Sequence, residues 1–156
     1  MSARKYAKYI ISEDFMSPPP PAVQARNQAQ RAAGNYVDGF HMLSLNDKVA
    51  AGAMYFDCVW LWNKHGAGPV QTEIAHSHDF DEILGFIGNN RDNPRDLNAE
   101  IEFWLEDERY VITKSSLIWV PRGMKHLPLN FLRIDSPLLF FTGGNGTSYT
   151  RASGNE

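Results

Sequence analysis

Three histidines and one glutamate are the residues of this sequence most able to do chemistry. His76 and His78 are two positions apart, Glu82 follows four positions after His78, and His126 comes much further along the chain. On a β-strand alternate side chains share one face, so both nearby histidines would point the same way, and Glu82 could return to that face after a tight turn. Three imidazoles and a carboxylate suit one divalent transition metal ion: Fe(II), Mn(II), Ni(II), Co(II) or Zn(II). Histidines at this spacing also occur on exposed strands without a metal, so the spacing alone leaves both interpretations open.

The order of these residues resembles the two sequence motifs of the cupin family. Residues 76–88 are similar to the first motif, in which His-X-His is followed by a glutamate and a closing glycine. Residues 121–130 are similar to the second, in which Pro-X-Gly precedes a third histidine and an asparagine follows it. The resemblance spans about residues 68–142. It implies that the ligands of one divalent metal ion are His76, His78, Glu82 and His126.

Three glycines of the motifs are replaced or displaced in this chain. Val70 and Ser115 stand where the two motifs would open with glycine, and the closing glycine of the first motif, Gly88, comes one residue early. Such glycines serve turns that need unusual backbone angles. We therefore expect altered loops around an intact set of metal ligands.

Short strands are the elements that must position these residues. From residue 36 onward, apolar or alternating runs recur at roughly ten-residue intervals, which is typical of an antiparallel sandwich or barrel. In the run 99–105, Ile101, Phe103 and Leu105 would face a core. With the resemblance, this pattern predicts an all-β fold, a cupin-type jelly-roll barrel (double-stranded β-helix) formed by residues 36–142.

The two ends of the chain differ from the barrel region in composition. Residues 1–35 contain the proline-rich segment Ser17–Pro21 and a run of helix formers at 22–33, which predicts an N-terminal arm with a short helix outside the barrel. Residues 143–156 are rich in Gly, Ser, Thr and Asn, which predicts a flexible C-terminal tail.

The arm also suggests how two copies of the chain could associate. A single barrel leaves sheet edges that need cover, and the arm carries Tyr6, Tyr9, Ile10 and Ile11. These side chains could cover an edge of a neighbouring copy. We therefore expect a homodimer.

Composition and charge exclude several classes of partner and location. A net charge of −3 is not the basic excess expected for binding to nucleic acid or to an anionic membrane. The sequence contains no run of about eighteen apolar residues, so no membrane span is expected. No apolar stretch of signal-peptide length follows the first basic residues, and a cytoplasmic location is therefore expected.

The single cysteine, Cys58, cannot form an internal disulfide, and its place in an apolar run predicts a buried core residue without a catalytic role.

An apolar barrel interior would favour a small organic substrate over an inorganic ion. The aromatic residues expected there are Phe80, Phe86, Phe103, Trp104, Trp119, Phe131 and Phe140. We therefore predict a metal-dependent enzyme, with either Fe(II) dioxygenase-type or redox-neutral isomerase or lyase chemistry. The alternative is a non-catalytic cupin that binds a ligand as a sensor or store.

Beyond the metal ligands, the sequence identifies no catalytic residue. Asn130 and Glu102 are candidates for polar contacts with a substrate. His41 and His65 each stand alone on a predicted strand or loop, and we expect neither to have a direct role.

Overall fold

Nine antiparallel strands form the main body of the protein in a computed structural model that describes residues 4–15 and 18–152. The strands are β1 (Val37–Leu45), β2 (Tyr55–Lys64), β3 (Val70–Glu73), β4 (Glu82–Gly88), β5 (Asp96–Leu105), β6 (Glu108–Lys114), β7 (Ser116–Val120), β8 (Leu129–Ile134) and β9 (Leu138–Gly144). A 3₁₀ turn, Ala7–Tyr9, and helix α1, Pro21–Ala32, precede them. Parts of the predicted arm (1–3 and 16–17) and of the predicted tail (153–156) lie outside the described residues.

The strands form two sheets that pack face to face. The five-stranded sheet has the order β1-β2-β9-β4-β7, and the four-stranded sheet has the order β3-β8-β5-β6. Every pairing within the sheets is antiparallel. The all-β jelly-roll prediction is therefore confirmed. Among the described residues, no helix is both long enough and apolar enough to cross a membrane.

Alternation along the strands decides which side chains fill the space between the sheets. On β5, Ile101 and Phe103 are buried while Glu100 and Glu102 are only partly covered, as the alternating pattern predicts. The Phe86 ring meets Phe131 of the facing sheet and Phe140 of the neighbouring strand β9. The largest apolar side chains with almost no exposure are Tyr55, Phe86, Phe103, Phe131, Leu97, Ile101 and Leu138.

Two residues expected inside lie on the outer side of the five-stranded sheet. Trp119 is 59% exposed, because Ile118 and Val120, its neighbours on β7, take the inward positions. Cys58 is only half-buried, because it lies on the same side of β2 as the exposed Phe56. The expectation that these two side chains belong to the core is therefore wrong.

Helix α1 covers the edge of the four-stranded sheet. Its first residue is Pro21, whose fixed φ suits the first turn of a helix. The Gln30 amide donates a hydrogen bond to the Gln71 carbonyl (2.8 Å), and the Arg26 guanidinium donates to the Thr72 carbonyl. These carbonyls belong to edge strand β3, so the helix satisfies acceptors that would otherwise be open to another chain.

Replacing Phe86 with alanine should destabilise the protein severely. Its side chain has no exposed surface, and Phe-to-Ala changes at such sites cost about 3–5 kcal/mol through lost burial and the cavity left behind. Urea unfolding followed by circular dichroism would measure the free energy of unfolding. Val111→Ala, on a side chain that is 44% exposed, is the matched control. Equal losses for the two variants would contradict the core described above.

Candidate metal centre

The four predicted metal ligands converge although they come from separate segments. Glu82 is the first residue of β4. His76 and His126 face each other in an isolated two-residue bridge, in which the amide of each donates to the carbonyl of the other (3.1 and 2.9 Å). The expected continuous strand through His76 and His78 is not formed, because β3 ends at Glu73 and this bridge holds the next residues in place. All four side chains are at most 2% exposed.

The ligating atoms of the four side chains lie within a few ångströms of one another. The Nε2 atoms of His76 and His78 are 3.2 Å apart. Glu82 Oε2 lies 3.4 Å from Nε2 of His78 and 2.9 Å from Nε2 of His126. Three buried histidines whose ligating atoms lie within 4.8 Å of one another could bind a metal ion.

Hydrogen bonds at the far side of each ring fix the histidine tautomers. Nδ1 of His76 lies 2.7 Å from the Ile74 carbonyl, Nδ1 of His78 lies 2.6 Å from the Thr150 carbonyl, and Nδ1 of His126 lies 3.2 Å from a backbone carbonyl as well. A carbonyl oxygen only accepts, so each Nδ1 carries the hydrogen and donates it. In the neutral ring, Nε2 then holds a free lone pair, as in metal-bound histidine.

Glu82 presents one carboxylate oxygen to the histidines and uses the other elsewhere. Its Oε1 accepts hydrogen bonds from the Tyr55 hydroxyl and from Thr142 Oγ1 (3.2 Å). Its Oε2 and Nε2 of His126 are buried without a hydrogen-bond partner among the described residues, and orphaned buried acceptors of this kind are costly. A divalent cation would satisfy both atoms, so the residues fit a metal ion.

The protonation states expected at neutral pH also suit a metal. Burial lowers the pKa of His76 to about 4, which leaves this ring neutral. Burial also opposes the charged form of His78, but the adjacent Glu82 carboxylate keeps its pKa above the ordinary value. Burial would raise the pKa of Glu82, yet the adjoining rings of His126 and His78 and the Tyr55 hydroxyl hold it well below its usual range. Glu82 is therefore a carboxylate.

Residues after β9 close one side of the centre. The Tyr149 hydroxyl lies 3.0 Å from Nε2 of His76, Arg151 pairs with Glu73 at 2.6 Å, and Thr150 holds His78. The sequence predicted a flexible tail from residue 143, whereas β9 continues to Gly144 and the next residues contact the site. A Gly-, Ser- and Thr-rich composition does not reveal such contacts, because backbone groups and single side chains make them.

A cavity of about 260 Å³ adjoins the candidate metal centre. Its apolar wall consists of Val59, Leu84, Leu127, Leu129 and Phe140, and its polar groups besides the metal ligands are His41, Asp57, Thr72, Glu73, Thr142 and Tyr149. The cavity is thus apolar on one part of its wall and carries groups that can orient a polar substrate on the rest.

His41 lies on the cavity wall, contrary to the expectation that it has no direct role. It points inward from β1, with Nδ1 2.9 Å from Asp14 Oδ2 and Nε2 3.5 Å from Asp57 Oδ1. Asp57 also accepts a hydrogen bond from Ser44. His41 and Asp57 point inward from neighbouring strands, and the register of β1 against β2 brings them together.

The remaining candidates from the sequence lie away from the cavity. His65 stacks on Tyr36 and pairs with Asp38 at 2.8 Å. Asn130 donates a hydrogen bond to Glu102 at 2.7 Å. These two residues are cross-strand partners on the outer side of the four-stranded sheet, so the suggestion that they contact a substrate is wrong.

Comparisons with known proteins agree with this fold. No family model and no curated protein matches the chain. Among solved structures, the chain is similar to a recombinant oxalate oxidase in complex with glycolate, with a TM-score of 0.50 and 12% identity over 93% of this chain. The chain spans 63% of the length of that oxidase.

Two further solved structures are similar at lower scores. KdgF from Halomonas sp. has a TM-score of 0.40 and 13% identity, with 69% of this chain and 77% of that chain covered. A cupin-like protein from Thermotoga maritima has a TM-score of 0.41 and 12% identity, with 69% and 67% covered. The sheet order, the motif residues and the oxalate oxidase match together identify a cupin fold, and the resemblance seen in the sequence is confirmed at this level.

Removing one histidine of the centre should abolish metal binding without unfolding the protein. His126→Ala deletes a ligand with no exposed surface, and we expect at least about a 100-fold loss of affinity for Mn(II), Ni(II) or Zn(II). His65→Ala, which lies outside the cavity, is the matched control. Calorimetry on metal-free protein and elemental analysis after loading would measure binding. Equal metal content in the two variants would rule out this centre.

Metal affinity should fall as the solution becomes acidic. The pKa of His78 is held above its ordinary value, so its ring gains a proton as the pH falls, and the proton competes with the metal. His76, with a pKa of about 4, and Glu82, with a lowered pKa, should not take up protons in this range. Titrations between about pH 8 and pH 5.5, in buffers of different ionisation enthalpy, should detect proton release on metal binding. A constant affinity would contradict the assignment.

Proposed function

We propose that the protein is a metal-dependent enzyme acting on a small organic molecule. The observation that supports this best is the meeting of three buried imidazole Nε2 atoms with Glu82 Oε2 beside a cavity. His76, His78, Glu82 and His126 would hold one divalent ion: Fe, Mn, Ni, Co or Zn. When bound, such an ion supplies Lewis-acid or redox chemistry.

The cavity limits the substrate to a small molecule. Its volume of about 260 Å³ lies just below the usual range of about 300–1,000 Å³ for ligand pockets. The apolar wall that includes Leu84, Leu129 and Phe140 excludes water and packs against carbon atoms. The polar groups near the four ligands would bind oxygen atoms of the same molecule, which favours a compact carboxylate, carbonyl or phenolic compound.

Two groups on the cavity wall can hold or donate a proton. The Tyr149 hydroxyl is a hydrogen-bond donor next to His76, and burial, with the charges of Glu73 and Glu82, raises its pKa so that it stays protonated. His41 lies between the carboxylates of Asp14 and Asp57, which orient its ring. We assign Tyr149 to binding of substrate oxygen and His41 to holding or moving a proton.

Two types of reaction are compatible with this arrangement. Fe(II) dioxygenase-type chemistry needs room for oxygen beside the substrate, whereas isomerase or lyase chemistry needs a proton donor and acceptor on the cavity wall. A requirement of turnover for molecular oxygen would distinguish the dioxygenase-type reaction from the isomerase or lyase reaction. The cytoplasmic location expected from the sequence stays a prediction.

A non-catalytic ligand-binding cupin is the second candidate function. The feature that favours it is the Tyr149 hydroxyl beside Nε2 of His76, on the side from which a substrate would approach. A sensor or storage protein could keep its ligand enclosed by this segment. Such a protein would bind metal and ligand without turnover.

Glu82→Gln should abolish turnover while the fold remains. The change keeps the shape of the side chain and removes the charge, so we expect at least about a 100-fold loss of activity. Metal-loaded protein would be screened against small carboxylates, carbonyl compounds and phenols, with oxygen uptake and product mass measured. Glu100→Gln, on an outer side chain that is 43% exposed, should behave like the wild type.

The outcomes of this screen separate the candidates. Turnover with oxygen uptake supports the dioxygenase reaction, and turnover without oxygen supports isomerase or lyase chemistry. Metal and ligand binding without turnover favours the binding protein. Failure to bind any of the tested metals overturns the proposal as a whole.

A further inference from the structure

The outer side of the five-stranded sheet is apolar along all of its central rows. Antiparallel sheets usually have one face toward the core and one polar face toward water. Here the strand register aligns uncharged side chains across the outer side in three rows. We call this surface the outer apolar face. Its rows are Phe40–Trp60–Leu139–Ile87, Leu43–Cys58–Phe141–Gly85–Leu117 and Leu45–Phe56–Gly143–Ile83–Trp119.

Several side chains of the outer apolar face are exposed to a degree unusual for their type. Leu117 is 63% exposed, Phe40 59% and Trp119 59%. No described segment of the chain covers them. A contiguous apolar surface of this kind marks an interaction site, because isolated exposed apolar residues are normal but a whole sheet face is not.

The other sheet of the same molecule provides the contrast. On the outer side of the four-stranded sheet, Glu100 pairs with Arg133 at 3.3 Å and Glu102 pairs with Arg109 at 2.5 Å. These ion pairs are what a water-facing sheet surface normally carries. The outer apolar face is therefore a feature of one sheet and not of the composition in general.

Two glycines make the outer apolar face flat. A Cβ atom on Gly85 would lie 2.1 Å from the Phe141 ring, and one on Gly143 would lie 2.7 Å from the Phe56 ring. The two aromatic rings thus lie down over the glycines and stack on each other with centroids 5.5 Å apart. A flat apolar surface of this form is suited to packing against a second sheet about 10 Å away.

We propose that a second copy of this chain covers the outer apolar face, forming a two-fold symmetric dimer. In such a dimer the same patch meets itself, and a patch without charges meets its copy without like-charge repulsion. Large aromatic side chains bury about 150–250 Å² each. The half-exposed aromatic and aliphatic side chains of these rows can therefore supply several hundred of the roughly 800 Å² that each partner of a stable complex buries.

The position of Cys58 in the middle row offers a probe of this dimer. Its thiol is half-buried in the single chain, whereas a second sheet packed on the outer apolar face would cover it fully. A maleimide reagent should therefore react slowly at protein concentrations that favour the dimer. The reaction should become severalfold faster on dilution, because dissociation uncovers the thiol.

Lysine substitutions on the outer apolar face test the proposal with the full chain. Wild-type protein should show twice the 17.6 kDa chain mass in light scattering and sedimentation equilibrium. The double variant Leu117→Lys/Trp119→Lys places charge on exposed positions and should weaken the dimer by about 30-fold or more while Cys58 reacts faster. Phe40→Lys, at the other end of the face, is a second variant if the first does not fold. Val111→Lys, on the outer side of the other sheet, is the control and should leave the dimer intact.

Four results would overturn the proposal. The first is a wild-type protein that is monomeric at about 100 μM, and the second is a dimer that persists in both the Leu117→Lys/Trp119→Lys and the Phe40→Lys variants. The third is a particle mass that keeps rising with protein concentration. The fourth is a dimer that is lost only in the variant Tyr9→Lys/Ile10→Lys. The last result would assign association to the arm, whose side chains Tyr9 and Ile10 are 66% and 75% exposed.

Discussion

The hydrogen bond from each histidine Nδ1 to a backbone carbonyl is the interaction on which the candidate centre depends. It selects the tautomer and aims Nε2 inward, so that the lone pairs of His76 and His78 face each other at 3.2 Å. Two neutral rings cannot hydrogen-bond through two acceptors, whereas a shared cation would satisfy both lone pairs. The backbone bridge between His76 and His126 therefore connects two segments of the chain and also positions the two imidazole rings.

Burying Glu82 beside these rings is costly, and the fold offsets the cost locally. Tyr55 and Thr142 hold one carboxylate oxygen from neighbouring strands of the five-stranded sheet, which leaves the other oxygen for the proposed metal. Protein interiors accept such polar clusters where every member has a partner. The unpaired atoms at this centre thus support the proposed metal site within an otherwise apolar interior.

The strands and the meeting of the four motif side chains could be predicted from sequence, because each depends on local spacing. Alternation identified the inward residues of β5, and the motif residues identified His76 and His126. The position of His41 on the cavity wall could not be predicted, because it depends on the register of β1 and on the place of Asp14 in the arm. The misplacement of Trp119 has a similar cause, since an apolar strand such as β7 does not reveal which of its faces points inward.

The contact between His78 and Thr150 also bears on when the centre can assemble. A ribosome releases the chain from its N-terminal end, so the segment that bears His76, His78 and Glu82 emerges long before residue 150. Until that residue is free of the exit tunnel, the His78 ring lacks the carbonyl that orients it. Acquisition of the proposed metal in its final geometry is therefore a late event in biosynthesis, and it follows the closing of the barrel by its last strand.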